Sequence, residues 1–504
     1  MTSSNTPTHK NSVCCFSASD NSGHAGLQAD LRTLSSLNLH GCSVVTAITV
    51  QNSQQFDRIS AIEPTLISEQ WQSIRDDIKP TVCKIGMLSN AEQIQQLAKI
   101  ASEYKGFWIA DPVIKTSTEG GIHNAENMSY YRQLFPQLDL ITPNIPEAEA
   151  LLGRPLKTAA DIQRAAQDLH ALGAKAVLIK GGHQDFDPQR CFDYFYTPEQ
   201  QSWMSSPRKT VVNKRGTGCV MASAIAGFVA EGKALIDAVV LAHAYVQQGL
   251  RTGYQAGQAA GPIGHGGWPE QLRDYPTIGE TASYQNRDAF ASCNTQHLGL
   301  YPVIDSLDWL QKLLQEGVST LQIRIKDQQG EHLKTSLKQA ITLGKQYQAR
   351  LFINDHWQLA IELGAYGVHL GQEDISVADL DAIKRAGLRL GISTHSEYEW
   401  ARAHSLRPSY IALGAVFTTQ TKPAQVIGVD NLKRWVPLLQ QQYPVTAIGG
   451  IHFHNIDQVI TSGVGSIALV TAITLADNYR QATQQLLAKV ENKTATTEAL
   501  CNAL

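Results

Sequence analysis

The chain has 504 residues, enough for two or three domains at about 100 to 200 residues each, every one able to bury a core without disulfide or metal staples. Forty-two Lys and Arg against 45 Asp and Glu leave a net charge of −3, which excludes the basic field that holds a polyanion by counterion release, so nucleic acid is not an expected partner. Hydrophobic residues at 43% and charged residues at 17% exclude an intrinsically disordered chain.

The opening MTSSNTPTHKNS is polar and lacks the apolar core of a signal peptide. The longest apolar stretches, 222–230 and 238–246, fall well short of the roughly 18 residues a membrane span needs. Cysteines 14, 15, 42, 83, 191, 219, 293 and 501 show no CxxC pair and no zinc spacing, as expected of free thiols in a reducing compartment. The expectation is a cytoplasmic protein with small-molecule partners and no membrane partner; self-association is left open.

Residues 12–271 alternate apolar runs with helical patterns. Runs 43–50, 81–87, 107–113, 138–142 and 174–179 read as buried parallel strands, separated by helical segments such as 90–104 and 159–173. That pattern predicts an open, doubly wound α/β/α sheet. Within it, Arg215-Gly216-Thr217-Gly218-Cys219 leads into the small apolar stretch VMASAIAGFVAEG. Glycines entering a helix expose backbone N–H groups and the positive end of the helix dipole, which suits a phosphoryl group in transit. Cys219 at the helix start is expected to have a lowered thiol pKa, making it a candidate general base. Plain loop glycines and a small packing Cys are the alternatives.

Residues 272–297 lack periodicity and read as an interdomain linker. Over 298–490 eight β-rich runs follow, at 301–305, 320–325, 350–354, 367–371, 388–393, 410–414, 445–450 and 466–470, each succeeded by a helix-period segment. Eight such units predict a closed (β/α)8 TIM barrel with its chemistry at the strands' C-terminal ends. Residues 491–504 read as a frayed tail. Gln322, Arg324 and Lys326 alternate along the second strand and are expected to point to one face; a solvated edge is the alternative. Asp355 and Asp374, at the ends of neighbouring strands, are hard oxygen donors suited to Mg²⁺, with Arg324, Lys326 and Ser393 able to hold an anion beside them. Thr419, Thr421, Lys422 and the Gly450 backbone form a second anion cradle. Two phosphorylated ligands at one metal suggest group transfer with pyrophosphate leaving.

The segments SASDNSGHAGLQADL, TAITVQNS, KIGML, DPV, TPNIPEAEALL, VLIKGGH and KRGTGCVMASAI resemble, in order, the hydroxymethylpyrimidine/phosphomethylpyrimidine kinase family of ribokinase-like fold. The resemblance implies that Gln51 hydrogen-bonds a pyrimidine ring and that Met87 and Val113 line its pocket. It also implies an anion hole at Gly216, Thr217, Gly218 and Cys219, with Asn144 and Glu147 ordering Mg²⁺ and phosphate through water, and ATP as co-substrate. Two departures stand out. His24 replaces a usual Gly and could narrow the substrate mouth. Asn213-Lys214-Arg215 replaces a His-Gly approach, its cations either touching nucleotide phosphate or solvated.

LQIRIKD, FINDHW, GVHLGQED, GISTH, TTQTK and AIGGI resemble the thiamine phosphate synthase family. This implies that Gln322, Ile323, Arg324, Ile325, Lys326, Asn354, Ser393 and Lys422 bind a pyrimidine diphosphate. Asp355 and Asp374 would hold Mg²⁺, and Thr419, Gln420, Thr421, Gly450, Val470 and Thr471 a thiazole phosphate. Thr418 and Thr471 stand where Pro and Ser are common. Together the two resemblances imply consecutive steps: hydroxymethylpyrimidine is phosphorylated to its monophosphate and diphosphate, and the diphosphate condenses with thiazole phosphate. The alternative is a pyridoxal- or pyridoxine-type kinase fused to a non-catalytic, ligand-binding regulatory barrel.

Overall fold

The computed structural model describes residues 11–113, 129–184, 186–284, 287–419 and 425–501, with side chains described only as far as residue 491. The chain divides into two compact units, Met1–Tyr284 and Gln285–Leu504.

The first unit is built on a ten-stranded sheet. Its strands are β1 (Ser12–Asp20), β2 (His40–Gln51), β3 (Phe56–Ala61), β4 (Val82–Ile85), β5 (Phe107–Ala110), β6 (Leu140–Ile141), β7 (Val177–Ile179), β8 (Arg190–Tyr196), β9 (Gln201–Pro207) and β10 (Thr277–Gly279). Their order is β10-β9-β8-β7-β6-β5-β4-β1-β2-β3. The run from β2 to β7 is parallel, as expected, and places Cys14 opposite both Cys42 and Cys83. Both margins depart from the expected parallel sheet: β3 pairs antiparallel with β2, and β8, β9 and β10 continue antiparallel beyond β7. For β3 and β9 the reason is connection length, because the short turns at 52–55 and 197–200 close hairpins and leave no room for a crossover helix.

Alternation along β1 sends Phe16 into an aromatic core, with ring centroids 5.4 Å from Trp71 and 5.7 Å from Trp108. Ser17 points to the other face, where its hydroxyl donates to Asp30 of helix Gly26–Ser36 at 2.7 Å. On that face helix Thr217–Ala230 is buried continuously from Val220 to Phe228. Its Ala- and Gly-rich surface permits this close embedding.

The second unit is a closed barrel of eight strands, all parallel: β11 (Gly299–Ile304), β12 (Thr320–Ile323), β13 (Arg350–Asn354), β14 (Gly367–Leu370), β15 (Arg389–Thr394), β16 (Tyr410–Leu413), β17 (Val445–Ile448) and β18 (Ser466–Leu469). Closure comes from β18 pairing with β11. Side-chain caps at Ser306, Asp379 and Ser396 start three of the helices between strands.

The 272–297 stretch is not a featureless tether. Leu272–Asp274 forms a 3-10 turn and β10 adds an edge to the ten-stranded sheet of the first unit. Residues 287–293 lie along the barrel's N-terminal rim: Ser409 donates to the Ala291 carbonyl at 2.7 Å, and the Phe290 amide donates to the Arg407 carbonyl at 3.0 Å. Sequence periodicity misses both, because each is held by a few backbone bonds and not by an amphipathic face. The tail expected to fray is helical as far as it is described, within Tyr479–Cys501. No helix among the described residues is long and apolar enough to cross a membrane.

Candidate active sites

In the first unit the C-terminal ends of the parallel strands open into a cleft of about 910 Å³, the position expected of a ligand site in a doubly wound sheet. Gln51, Met87, Val113, Asn144, Glu147 and the 216–219 loop all line it. Gly216 is the left-handed cap of helix Thr217–Ala230, with φ +82°. A Cβ there would sit 2.4 Å from the His24 carbonyl, so only glycine lets the two loops meet. His24 itself is buried and is absent from the cleft lining, so it does not narrow the mouth. Asp20 holds its loop by accepting from the His24 and Ala25 amides at 3.1 and 2.8 Å.

Beneath the helix terminus lie two ion pairs that sequence reasoning missed. Lys84 and Asp30 are fully buried, with Nζ 2.9 Å from Oδ2, and Ser17 and Ser223 both donate to the same carboxylate. Burial works against the Lys84 charge, yet Asp30 and its neighbours raise its pKa. Asp111 pairs with Lys180 at 2.5 Å and accepts from Thr142. A Cβ on Gly218 would lie 3.3 Å from Asp111 and 3.4 Å from Lys180, so this pair sits directly under the expected anion hole. The available signal was a charged residue inside or just after an otherwise apolar strand: VCKI, FWIAD and VLIK.

Cys219 is open to the cleft, but its thiol is raised to about 11, against the expectation from its place at a helix start. Burial is the largest cause, and Asp30 and Asp111 add to it; Lys84 and the Gly26 amide only partly offset them. Asn144 and Glu147 form a reciprocal capping box on helix Ile145–Leu152, each side chain bonding the other's backbone N–H. Burial pushes the Glu147 carboxyl up to about 7, with Lys180 opposing and Asp111 reinforcing. Arg215 is not solvated: it is buried, and donates to the Gln51 side-chain oxygen at 3.0 Å. Lys214 is exposed at the cleft edge.

In the second unit a cavity of about 330 Å³ opens at the C-terminal mouth of the barrel. Gln322, Arg324, Asn354, Asp355, Asp374, Ser393, Thr419, Gly450, Val470 and Thr471 share it. Strand β12 ends at Ile323, and the side chains of Ile323 and Ile325 turn into the core. Lys326 lies exposed and outside the cavity lining, so the expected three-residue row reduces to Gln322 and Arg324. Gln420, Thr421 and Lys422 fall outside the described residues.

Asp355 has a left-handed backbone, φ +63°, costly for a non-glycine residue and common where function dictates a conformation. Its carboxyl is raised by burial and then by Asp374, against Arg324 and His356. Two carboxylates that repel each other across a cavity form a hard-oxygen donor pair fitting an Mg²⁺ that keeps waters and grips phosphate. Asp374 is oriented by the Gly371 amide at 3.0 Å. Among the described residues no cluster of three or more His, Cys, Asp or Glu could hold a metal, so the remaining positions fall to water and substrate. Gln322 donates to Asn354 at 2.6 Å.

One inward residue escaped the sequence reading: His369 of β14. Its ring bonds Ser393 Oγ at 2.7 Å and Tyr410 OH at 2.6 Å, and Tyr410 in turn meets Tyr301 OH at 2.7 Å. Burial, with Arg324 nearby, lowers the imidazole to about 3. The ring is therefore neutral, with one donor and one acceptor nitrogen. Its signal was a histidine at an inward position of the run GVHL. At the far side, Gly450 has φ +65°, and a Cβ there would strike the Thr418 carbonyl at 2.5 Å.

Comparison with known proteins identifies both units by their similarity. A phosphomethylpyrimidine kinase family model matches residues 20–264 and a thiamine monophosphate synthase model residues 300–473. The thiamine-phosphate synthase of Photorhabdus laumondii is 60% identical over 200 residues, covering 39% of this chain and 92% of its own. Among solved structures, phosphomethylpyrimidine kinase from Clostridium difficile is 31% identical, covering 47% of this chain and 98% of that one, with a TM-score of 0.42. Pyridoxal kinase from Staphylococcus aureus, in complex with AMP-PCP and pyridoxal, is 26% identical, covering 54% and 98%, with a TM-score of 0.49.

Proposed function

Because the chain belongs to the thiamine-phosphate synthase family through its barrel and carries a phosphomethylpyrimidine kinase domain ahead of it, we propose specific roles for the residues of both sites. The chain is a bifunctional transferase of thiamine biosynthesis: phosphorylation of a pyrimidine precedes its condensation. The kinase family generally uses ATP as co-substrate, and both families use Mg²⁺.

In the kinase cleft Gln51 takes the pyrimidine ring, against the apolar walls of Met87 and Val113. The substrate hydroxymethyl group then lies toward the head of helix Thr217–Ala230, where the backbone N–H groups and dipole stabilise negative charge on the phosphoryl group in transfer. Lys180 supplies a fixed cation below that loop. Asn144 and Glu147 would order Mg²⁺ and phosphate through water. With its thiol near 11, Cys219 is protonated at neutral pH and hydrogen-bonds the substrate hydroxyl as a thiol; its small thiolate fraction takes the hydroxyl proton, and where the thiol stays protonated the proton leaves on the transferred phosphoryl group. A loose phosphoryl-transfer transition state demands no more. The first transfer gives the monophosphate and a second the diphosphate.

In the barrel, Arg324, Gln322, Asn354 and Ser393 hold the pyrimidine diphosphate, while Gly450, Thr419, Val470 and Thr471 hold the thiazole phosphate. Asp355 and Asp374 would hold Mg²⁺, which when bound would supply positive charge to neutralise a departing pyrophosphate. The C–O bond to the diphosphate breaks with its electron pair leaving on pyrophosphate, and the thiazole nitrogen lone pair forms the new C–N bond. Arg324 stabilises the leaving charge, and the walls of the cavity keep water from the pyrimidine methylene.

The observation that carries this reading is the meeting, in one barrel-mouth cavity, of two mutually repelling carboxylates, a guanidinium and a hydroxyl. Incubating the pure protein with hydroxymethylpyrimidine, ATP, Mg²⁺ and thiazole phosphate, omitting each in turn, tests it. Thiamine phosphate should form only in the complete mixture, and pyrimidine diphosphate should accumulate when thiazole phosphate is left out. Product formed without ATP, or no diphosphate in that omission, contradicts it.

A further inference from the structure

Arg215 immediately precedes the Gly216 cap of the phosphate-binding helix, and its backbone is bolted in place. Its amide donates to the Gly261 carbonyl at 3.1 Å and its carbonyl accepts from the Ile263 amide at 3.3 Å. From that anchor the side chain reaches the end of β2. One terminal nitrogen donates to the Asn52 carbonyl at 2.7 Å and the other to Gln51 Oε1 at 3.0 Å, with the residue only 8% exposed. The Nε of this buried guanidinium has no hydrogen-bond partner among the described residues. On its other side the Gln51 amide nitrogen donates to Thr49 Oγ1 at 3.1 Å.

A glutamine amide on its own can present its oxygen and nitrogen in either order. A guanidinium has donors and no acceptor, so it admits only the oxygen of Gln51. Each atom keeps capacity after these bonds: Oε1 has a second lone pair and Nε2 a second hydrogen. Gln51 therefore shows the cleft one acceptor and one donor in a fixed order. That is the complement of an aminopyrimidine edge, where an exocyclic amine donor adjoins a ring-nitrogen acceptor. A pyridine alcohol has a ring hydroxyl and no such amine, and does not match both.

We propose that Arg215 is a specificity-setting positioning residue of the kinase site: its guanidinium locks the Gln51 amide in the orientation that reads an amine beside a ring nitrogen, and so favours aminopyrimidine alcohols over pyridine alcohols. The proposal rests on the reading that Gln51 takes the pyrimidine ring. It also ties ring recognition to the anion loop, because the recognition arm and the Gly216 cap are adjacent residues.

The test is a double-mutant cycle in the full-length chain, reading KM and kcat for hydroxymethylpyrimidine with ATP, and pyridoxal as competitor and alternative substrate. Arg215→Met should raise the pyrimidine KM about tenfold, the worth of one ordering bond to a charged group, with kcat little changed. Arg215→Lys, which keeps the charge and loses the two-pronged grip, should fall between. Gln51→Ala should raise KM as well, and the double variant should be no worse than Gln51→Ala alone. Preference for the pyrimidine over pyridoxal should shrink in Arg215→Met. Additive effects in the cycle, or kcat falling equally for every alcohol with KM unmoved, overturn the proposal. If Gln51→Ala leaves the pyrimidine KM unchanged, it is the reading of Gln51 that fails.

Discussion

A thiol held up to about 11 at the head of a phosphate-binding helix gives the first phosphorylation a recognisable pH signature. If the Cys219 thiolate accepts the substrate proton, turnover should climb as pH rises from 7 toward the thiol's pKa, because the reactive fraction grows about tenfold per pH unit below it. Cys219→Ala should flatten that climb and slow turnover by about 10² to 10⁴. A flat profile in the unaltered protein, with Cys219→Ala turning over at its rate, would assign the proton to the transferred phosphoryl group instead. The position of Cys219 at the head of a helix was legible from GTGC followed by small apolar residues. Its proton affinity was not, because burial in the folded cleft sets it first, and the charges that adjust it, Lys84, Asp30 and Asp111, lie far off in sequence. The same holds for Arg215, whose sequence context leaves a phosphate contact and a solvated side chain both open, while its partner Gln51 lies far off in sequence.

Among the elements, β15, β14, β16 and β11 are tied by one hydrogen-bonded line from Ser393 through His369 and Tyr410 to Tyr301. Tyr410→Phe keeps the ring packing and removes the hydroxyl in the middle, leaving His369 Nδ1 and Tyr301 OH each short of a buried partner. Barrel stability should fall by ~1–3 kcal/mol, measured by denaturant unfolding, and condensation should slow because the His369 ring that bonds Ser393 loses its own anchor, while pyrimidine phosphorylation is unchanged. In the first unit helix Gly26–Ser36 meets β4 through Asp30 and Lys84. Asp30→Asn leaves a buried ammonium without its counterion and should cost ~3–5 kcal/mol, read as a lowered unfolding midpoint; an unshifted midpoint would mean that Lys84 finds another partner or loses its proton.

Legibility at this scale followed connection length. All eight barrel strands lie within a residue or two of the expected runs, since each unit repeats one strand–helix pattern. The antiparallel strands β3, β8, β9 and β10 follow hairpins and a long return, where no repeating period exists to read. The barrel rim segment 287–293 is not legible as part of the barrel, because its hold is through backbone carbonyls, which a sequence pattern does not reveal.

For the molecule as a whole, the two chemistries occupy two compact units, each with its own core and cleft. Damage to one site should therefore leave the other working. Asp374→Asn is suited to this test, because the amide oxygen can still accept from Gly371 N as Oδ2 does now at 3.0 Å while the charge is removed. In the complete reaction mixture the variant should convert hydroxymethylpyrimidine to its diphosphate at the unaltered rate. It should release thiamine phosphate at a rate lower by about 10² or more, the scale of losing a group that stabilises transition-state charge. Mass spectrometry of that single reaction bears most directly on the central claim. Accumulated pyrimidine diphosphate with thiamine phosphate nearly absent is the predicted result, and undiminished thiamine phosphate, or loss of both products in a folded protein, would contradict it.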